Sequence, residues 1–308
     1  MRRLADGVVE IDTLLGGWQE TTAGYLIEGS APVLVETGSQ TSVPTVRAAL
    51  EALGVGPDDL AGIAVTHIHL DHAGGVGDLA AAFPRATVYV HELGARHLAD
   101  PTRLVASAER VYGPLLDRLY GRLTPTAPER IRVLADGEAL EVAPGRALRA
   151  VDSPGHAKHH LGFFDPSSGL LFAGDAVGVR LPAGGVLRPA TPPADFDLDQ
   201  ALASLRRFAA LQPGGIALAH YGLVPVDPAT LLDEAEATLN AWAEEAVRAY
   251  EAGADIAAAL AARFGQDLAG LDPEARERAE TLNGIHSNAA GLRRWIETRR
   301  RSPAEPAP

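Results

Sequence analysis

A chain of 308 residues with 46% hydrophobic residues can bury a substantial core, and it is too apolar to stay globally disordered. Its 27 basic and 40 acidic residues leave a formal charge of −13, which argues against nucleic acid held through its phosphates. There is no cysteine, so disulfides and thiolate metal ligands are excluded, and a reducing, cytoplasmic setting is the expectation.

The opening Met1-Arg2-Arg3-Leu4-Ala5-Asp6-Gly7 has no apolar core behind its basic residues, and no apolar run is long enough to span a bilayer. Neither a targeting signal nor a membrane partner is therefore expected. Residues 8–11, 24–27 and 32–35 read as strands separated by turn residues, with Gly29-Ser30-Ala31-Pro32 as a hairpin connection. A helix is expected from about residue 42 to 53, with Pro44 in its first turn and Gly54 as its stop.

Next comes the densest stretch of the chain. The apolar Ile63-Ala64-Val65 runs into Thr66-His67-Ile68-His69-Leu70-Asp71-His72 and then Ala73-Gly74-Gly75. This reads as a buried strand, a tight loop and the start of a helix. Alternation sends His67 and His69 to one side, and the following turn lets Asp71 and His72 swing to a neighbouring point. One loop can thus feed two metal ions, and neutral imidazole with carboxylate suits zinc, iron or manganese. Isolated histidines are usually surface or satisfied core groups, which does not account for four ligand-type residues this close together.

A short helix over 76–83 and a strand over 87–90 follow. Residues 92–120 read as helical, with Leu104, Ala108, Val111 and Leu115 at helical spacing. This insertion, about residues 92–130, either covers a site and shapes a substrate pocket or is a plain structural excursion. His91 and His97 are read as non-ligands. A second run of strands is expected at 131–134, 139–142, 148–151, 160–164 and 170–173, then a helix over 195–211 and a final strand at 216–219. Two halves of this kind predict an α+β fold with two sheets face to face and helices outside.

Three strand-end signals complete a ligand set: Ser153-Pro154-Gly155-His156, Phe172-Ala173-Gly174-Asp175 and Ala217-Leu218-Ala219-His220-Tyr221-Gly222. Each sets a ligand-type side chain just past a predicted strand, beside a glycine that lets backbone come close. Beyond residue 227, two or three amphipathic helices are expected. Asp227-Pro228 caps one, whose stripe is Leu231, Ala235, Leu239, Trp242 and Ala246. Asp272-Pro273 starts another, with Leu282, Ala289, Leu292 and Ile296 near one face. These stripes read as core or subunit contacts, compatible with a homodimer, or as a cap supplying substrate contacts. His286 and Asn288 lie here without assignable partners. Arg299-Arg300-Arg301 reads as a helix end and residues 302–308 as a frayed tail. The expected division is a catalytic domain over 1–226 and a C-terminal helical extension over 227–308.

On these residues the sequence resembles the metallo-β-lactamase superfamily over roughly 8–222, through His-x-His-x-Asp-His at 67–72, Pro-Gly-His at 154–156, Gly-Asp at 174–175 and His220. The resemblance implies an αββα sandwich with a metal site at one edge of the sheets. It implies His67, His69 and His156 on a first ion, Asp71, His72 and His220 on a second, and Asp175 bridging them. The cofactor expected is two divalent ions, zinc foremost and iron or manganese as alternatives. An aspartate bridge without cysteine points away from a true β-lactamase and toward the two-metal hydrolases. These would cleave an ester, thioester, lactone or phosphoester of a small-molecule substrate with a hydroxide shared between the ions, Asp71 orienting it and handling its proton.

Glu36 stands where the superfamily often has aspartate and is a candidate to support the imidazoles. His159 and His160 are candidates for substrate contact or simple strand-start residues. Tyr221 is a candidate donor to a tetrahedral oxyanion or a packed aromatic. Within the hydrolases, a glyoxalase II-like thioesterase is one expectation, since that branch also carries helices after its metal core. A lactonase is disfavoured because Ala176-Val177-Gly178, with no tyrosine, follows Asp175. RNA-processing branches are disfavoured by the acidic charge. A persulfide dioxygenase, with one iron on two histidines and an aspartate, and a non-catalytic metal-binding interaction protein are the alternatives outside hydrolysis. Seven candidate ligands favour two metals over the former, and an intact Asp71 disfavours the latter.

Overall fold

The computed structural model describes residues 1–182, 184–193 and 195–301. The tail expected at 302–308 lies outside them. Seven strands form the first sheet in chain order: β1 (Arg2–Ala5), β2 (Val8–Asp12), β3 (Ala23–Ile27), β4 (Val33–Val35), β5 (Gly62–Ala64), β6 (Thr87–His91) and β7 (Ile131–Leu134). Pairing is antiparallel through β4 and parallel from β4 to β7. The second sheet contains β8 (Ala139–Ala143), β9 (Arg146–Asp152), β10 (Leu161–Asp165), β11 (Leu170–Gly174), β12 (Gly215–Leu218) and β13 (Gly222–Leu223), in the order β13-β12-β11-β10-β9-β8. Only β11 and β12 are parallel there.

Alternation explains the layering. Tyr25, Ile27, Val33 and Val35 meet Leu148, Ala150, Phe163 and Phe172 in a core between the sheets. Their neighbours Leu26 and Leu34 turn outward onto α1 (Val43–Ala52), the one-turn α2 (Leu70–Ala73) and α3 (Val76–Ala82), where Val46, Leu50 and Leu79 cover them. The same outer cluster takes in α4 (Glu92–Ala99) and α5 (Thr102–Tyr112) through Leu98 and Ala108. On the other side Leu171 and Ala173 face Leu205 and Phe208 of α6 (Leu198–Ala210) and Leu231 of α7 (Pro228–Glu251). The result is the αββα sandwich.

The chain continues with α8 (Ile256–Phe264), α9 (Pro273–Asn283) and α10 (Ile285–Arg301). Asp227, Asp255 and Asp272 cap α7, α8 and α9 by accepting from the amides of Thr230, Ala258 and Ala275. Trp242, Leu260, Leu292 and Trp295 share a core with Phe196, Leu198 and Ala201 at the start of α6. No helix among the described residues is long and apolar enough to cross a membrane.

Four expectations need correction. Residues 131–134 close the edge of the first sheet rather than opening the second. The strand at 216–219 is not last, because β13 pairs antiparallel with β12. Four α-helices, not two or three, follow residue 227 among the described residues: α8 is so rich in alanine that it has little polar contrast to read, and Gly284, in extended conformation, splits the expected 282–296 stripe between α9 and α10. Strand β1 went unread because its two arginines mask it. Arg2 pairs with Glu10 and Arg3 with Glu28 along the sheet edge.

Candidate metal centre

Strands β5, β9, β11 and β12 all end at one edge of the sandwich. Past β5 the chain delivers His67 and His69, and the single turn of α2 adds Asp71 and His72. His156 follows β9, Asp175 follows β11 and His220 follows β12. Gly174 is required where it stands: its φ is +52°, and a Cβ there would come within 2.5 Å of His160 Nε2 and 2.6 Å of Thr66 Oγ1.

The structure brings all seven expected ligands together. His67 Nε2 and His156 Nε2 stand 2.9 and 3.1 Å from His69 Nδ1. A single imidazole proton cannot serve both contacts. Three nitrogens around a zinc ion at its usual bond length would sit about 3.3 Å apart, close to this spacing. Beside them, His220 Nε2 is 3.2 Å from His72 Nε2, and Asp71 Oδ2 is 3.4 Å from His220 Nε2 and 3.8 Å from His72 Nε2. Asp175 lies between the two groups. Its Oδ1 is 3.5 Å from both His72 Nε2 and His220 Nε2, and its Oδ2 is 3.6 Å from His156 Nε2. Asp175 Oδ1 is buried without a hydrogen-bond partner. A buried carboxylate oxygen left bare among imidazole nitrogens fits a cation ligand. His67, His69 and His156, and separately Asp71, His72 and His220, each offer atoms close enough to hold one ion.

The outer ring nitrogens fix which atoms face inward. His156 Nδ1 is 2.9 Å from the Ala190 carbonyl and His220 Nδ1 is 2.8 Å from the Thr21 carbonyl, so both must donate there. Thr66 Oγ1 donates to Glu36 Oε1 and accepts from His67 Nδ1 at 2.9 Å. Glu36 Oε2 is 3.6 Å from His72 Nδ1. Glu36 therefore sits beneath two of the imidazoles, in a backbone conformation with φ of +65° that non-glycine residues seldom adopt. Four rings present a bare Nε2 to the centre, and His69 presents Nδ1.

The two groups differ electrostatically. Burial, together with neighbouring histidines, lowers His67 far below the usual imidazole value and takes His69 down to about 3. Burial also lowers His156, against the pull of Asp175. At His72 and His220 burial is outweighed by carboxylates, Asp175 and Asp71 foremost, and both pKa values are raised. Protons thus compete with an ion more strongly at the second group than at the first. Lowering the pH from about 8 to about 5 is expected to strip the Asp71/His72/His220 position first. Metal analysis after dialysis across that range should show a plateau at one ion per chain. Simultaneous loss of both would contradict the assignment.

The remaining candidates divide. His160 is fully buried; its Nε2 accepts from the Asp175 amide at 3.2 Å and its Nδ1 bonds Ser153 Oγ at 2.8 Å. It holds the Asp175 turn and does not line the cavity over the ligand groups. His159 does line that cavity, with Nδ1 unpartnered and Nε2 4.0 Å from Asp195. Burial, then His69, pushes its pKa down to about 3, so it stays neutral. Of its two readings, Tyr221 takes the packed aromatic: it lines a separate cavity with Arg2, Glu10 and Asp12 and packs at the rim of the inter-sheet core. His91 caps α4 by accepting from the Leu93 amide. His97, read as a non-ligand, lies on the cavity wall and not among the ligand groups.

The cavity over the ligands holds about 470 Å³. Leu93, Leu104, Val111 and Tyr112 from the 92–130 insertion form one wall, and Thr191, Leu282 and Asn288 another. Asn288, without an assignable partner in the sequence, and Tyr112, which the sequence does not single out, both line the cavity. Tyr112 continues the spacing of Leu104 and Ala108 at four-residue steps, which is the signal that could have found it.

The family model for the metallo-β-lactamase superfamily matches residues 16–220. A solved metallo-β-lactamase superfamily protein from Sulfolobus tokodaii is 25% identical with a TM-score of 0.73, over 95% of this chain and 99% of that one. One from Thermus thermophilus is 26% identical with a TM-score of 0.65, over 96% and 94%. Among curated relatives, YobT of Bacillus subtilis is 29% identical over 64% of this chain and 81% of its own length. A hydroxyacylglutathione hydrolase of Cupriavidus taiwanensis is 33% identical over 62% of each. A thioesterase of Emericella nidulans is 30% identical over 51% of this chain and 36% of its own length. The chain thus spans less than two thirds of these hydrolase and thioesterase relatives.

Proposed function

This chain belongs to the metallo-β-lactamase superfamily, and on that premise we propose that it is a dinuclear metal-dependent hydrolase of an ester-like bond, with a thioester as the favoured substrate. The observation that carries the reading is Asp175, whose two oxygens face two separate ligand groups. Zinc is the favoured metal, since imidazole and carboxylate without thiolate suit it. A pair of divalent ions, when bound, supplies Lewis acidity and lowers the pKa of a water toward neutrality.

The chain's own groups do the rest. Burial would raise the Asp71 pKa, but His72 and His220 hold it below the usual carboxylate range, so it is ionised at working pH. It lies at the cavity floor, 13% exposed, where it can orient a nucleophile and take its proton. Compared with Tyr221, which lines a separate cavity, Tyr112 on the cavity wall is the better candidate for an oxyanion donor. Its ring lies on Tyr120 at 4.4 Å, and burial keeps its hydroxyl protonated. A protonated hydroxyl on the cavity wall can donate to charge that develops on the attacked group. Tyr112→Phe is expected to lower kcat by about tenfold or more while metal content and Tm stay unchanged. An unaltered kcat would remove Tyr112 from the reaction.

Two observations favour a thioester. Relatives include a hydroxyacylglutathione hydrolase and a thioesterase. The cavity sets apolar Ile68, Leu93 and Leu104 beside Arg96 and Lys158, which suits an acyl group joined to an anionic carrier. The test is zinc-loaded protein assayed without oxygen against thioester, lactone and phosphodiester probes. Highest kcat/KM on the thioester supports the reading; turnover only with oxygen and iron would replace it with the dioxygenase alternative.

A further inference from the structure

The metal ligand His156 is oriented by a carbonyl that belongs to neither sheet. Its Nδ1 donates to Ala190, in the strap between β11 and α6. That strap is fastened on both sides of Ala190 by the C-terminal helices. Before it, the Pro189 carbonyl accepts from Asn283 Nδ2 at 3.1 Å. After it, Thr191 donates its amide and its hydroxyl to Asn288 Oδ1, each at 2.8 Å. Asn288 Nδ2 in turn donates to Asn283 Oδ1 at 2.8 Å, which joins the two clamps. Two residues before Ala190, Arg188 is gripped by Asp267 at 2.6 and 2.7 Å and by Glu280 at 2.9 Å. Helix α10 approaches so closely that a Cβ on Gly291 would stand 1.9 Å from the Thr191 carbonyl.

Asn283, Asn288, Thr191 and Arg188 are all buried. Polar groups sealed from water need their partners, so this network has one low-energy arrangement and a large penalty for leaving it. The ring nitrogens of the other ligand group are oriented from elsewhere: His220 Nδ1 donates to Thr21 and His72 faces Glu36, both in the first sheet's half of the chain, and the strap meets His220 at its backbone, where the His220 carbonyl accepts from the Arg180 amide at 2.6 Å.

We propose that Asn283 and Asn288 are positioning residues for the metal centre, holding the Ala190 carbonyl on His156 so that the ion at His67, His69 and His156 depends on the C-terminal helices. The inference rests on the dinuclear reading above and says which of the two ions those helices control. An imidazole freed from its outer acceptor loses its fixed tautomer and direction, and such partners are worth about 10–100-fold in metal affinity.

The test is zinc binding by the full chain, measured by competition with a chromophoric chelator. In Asn288→Ala and Asn283→Ala one zinc is expected to keep its affinity and the other to weaken by about 10–100-fold. Leu292→Ala, which empties part of the α10 core and removes none of the strap's hydrogen bonds, is expected to lower Tm and leave both affinities unchanged. In a His156→Ala background, where the affected position is already lost, adding Asn288→Ala should leave the remaining zinc within about twofold, as a coupled pair requires. Unchanged affinities in both asparagine variants, equal weakening of both ions, or the same selective loss in Leu292→Ala would overturn the inference. A wild-type chain that binds fewer than two zinc ions would instead overturn the dinuclear reading beneath it.

Discussion

Asp175→Ala is expected to lower metal content and activity together. The carboxylate stands between the two ligand groups, 3.5 Å from His72 and His220 on one side and 3.6 Å from His156 on the other. Without it, five neutral imidazoles and Asp71 must hold two dications with a single negative charge. Mutual repulsion of the ions then lacks its main offset. Outer partners alone are worth about 10–100-fold in affinity or activity, so loss of a shared ligand should cost kcat/KM at least about 100-fold. Metal analysis should show fewer than two ions per chain. The fold should survive, since the Asp175 amide still donates to His160. Full metal content with wild-type activity would show that the bridging assignment is wrong.

Asp71→Asn separates proton transfer from metal binding. The amide keeps the size of the side chain and one oxygen toward His220, but it cannot accept a proton at working pH. General-base contributions run to about 10²–10⁴-fold, so kcat should fall by that order while KM stays within a few-fold. A metal count near two in the variant would show that the loss is chemical. A kcat within about threefold of wild type would move the base elsewhere, with His159 the nearest unpartnered group on the cavity wall.

Much of this centre was legible because ligand chemistry is dense and local. His67, His69, Asp71 and His72 sit within six positions, and alternation for the first two with a turn for the others suggests their grouping without knowledge of the fold. His156, Asp175 and His220 could be read because each follows an apolar strand beside glycine. The sandwich could be read from strands whose alternate residues are both apolar, as in Leu26 beside Tyr25 and Ile27. What failed to read was long-range or directional. Tyr221 adjoins His220, but both lie in the turn between β12 and β13, where strand alternation gives no direction, and Tyr221 lines a separate cavity. Tyr112 is hidden because Val111 beside it also fits helical spacing from Leu104 and Ala108, although Val111 is 66% exposed. Asn288 had no visible partner because Thr191 lies 97 residues away and carries no pattern that points to a helix beyond residue 284. The C-terminal helices share a core with α6, a contact that no local periodicity encodes.

The position of two ions is the central claim, and anomalous diffraction from crystals grown with zinc measures it directly. The result expected is two peaks, one among His67, His69 and His156 and one among Asp71, His72 and His220, with the Asp175 carboxylate between them. A single peak held by two histidines and an aspartate, or peaks that leave Asp175 without an ion on either side, would contradict it.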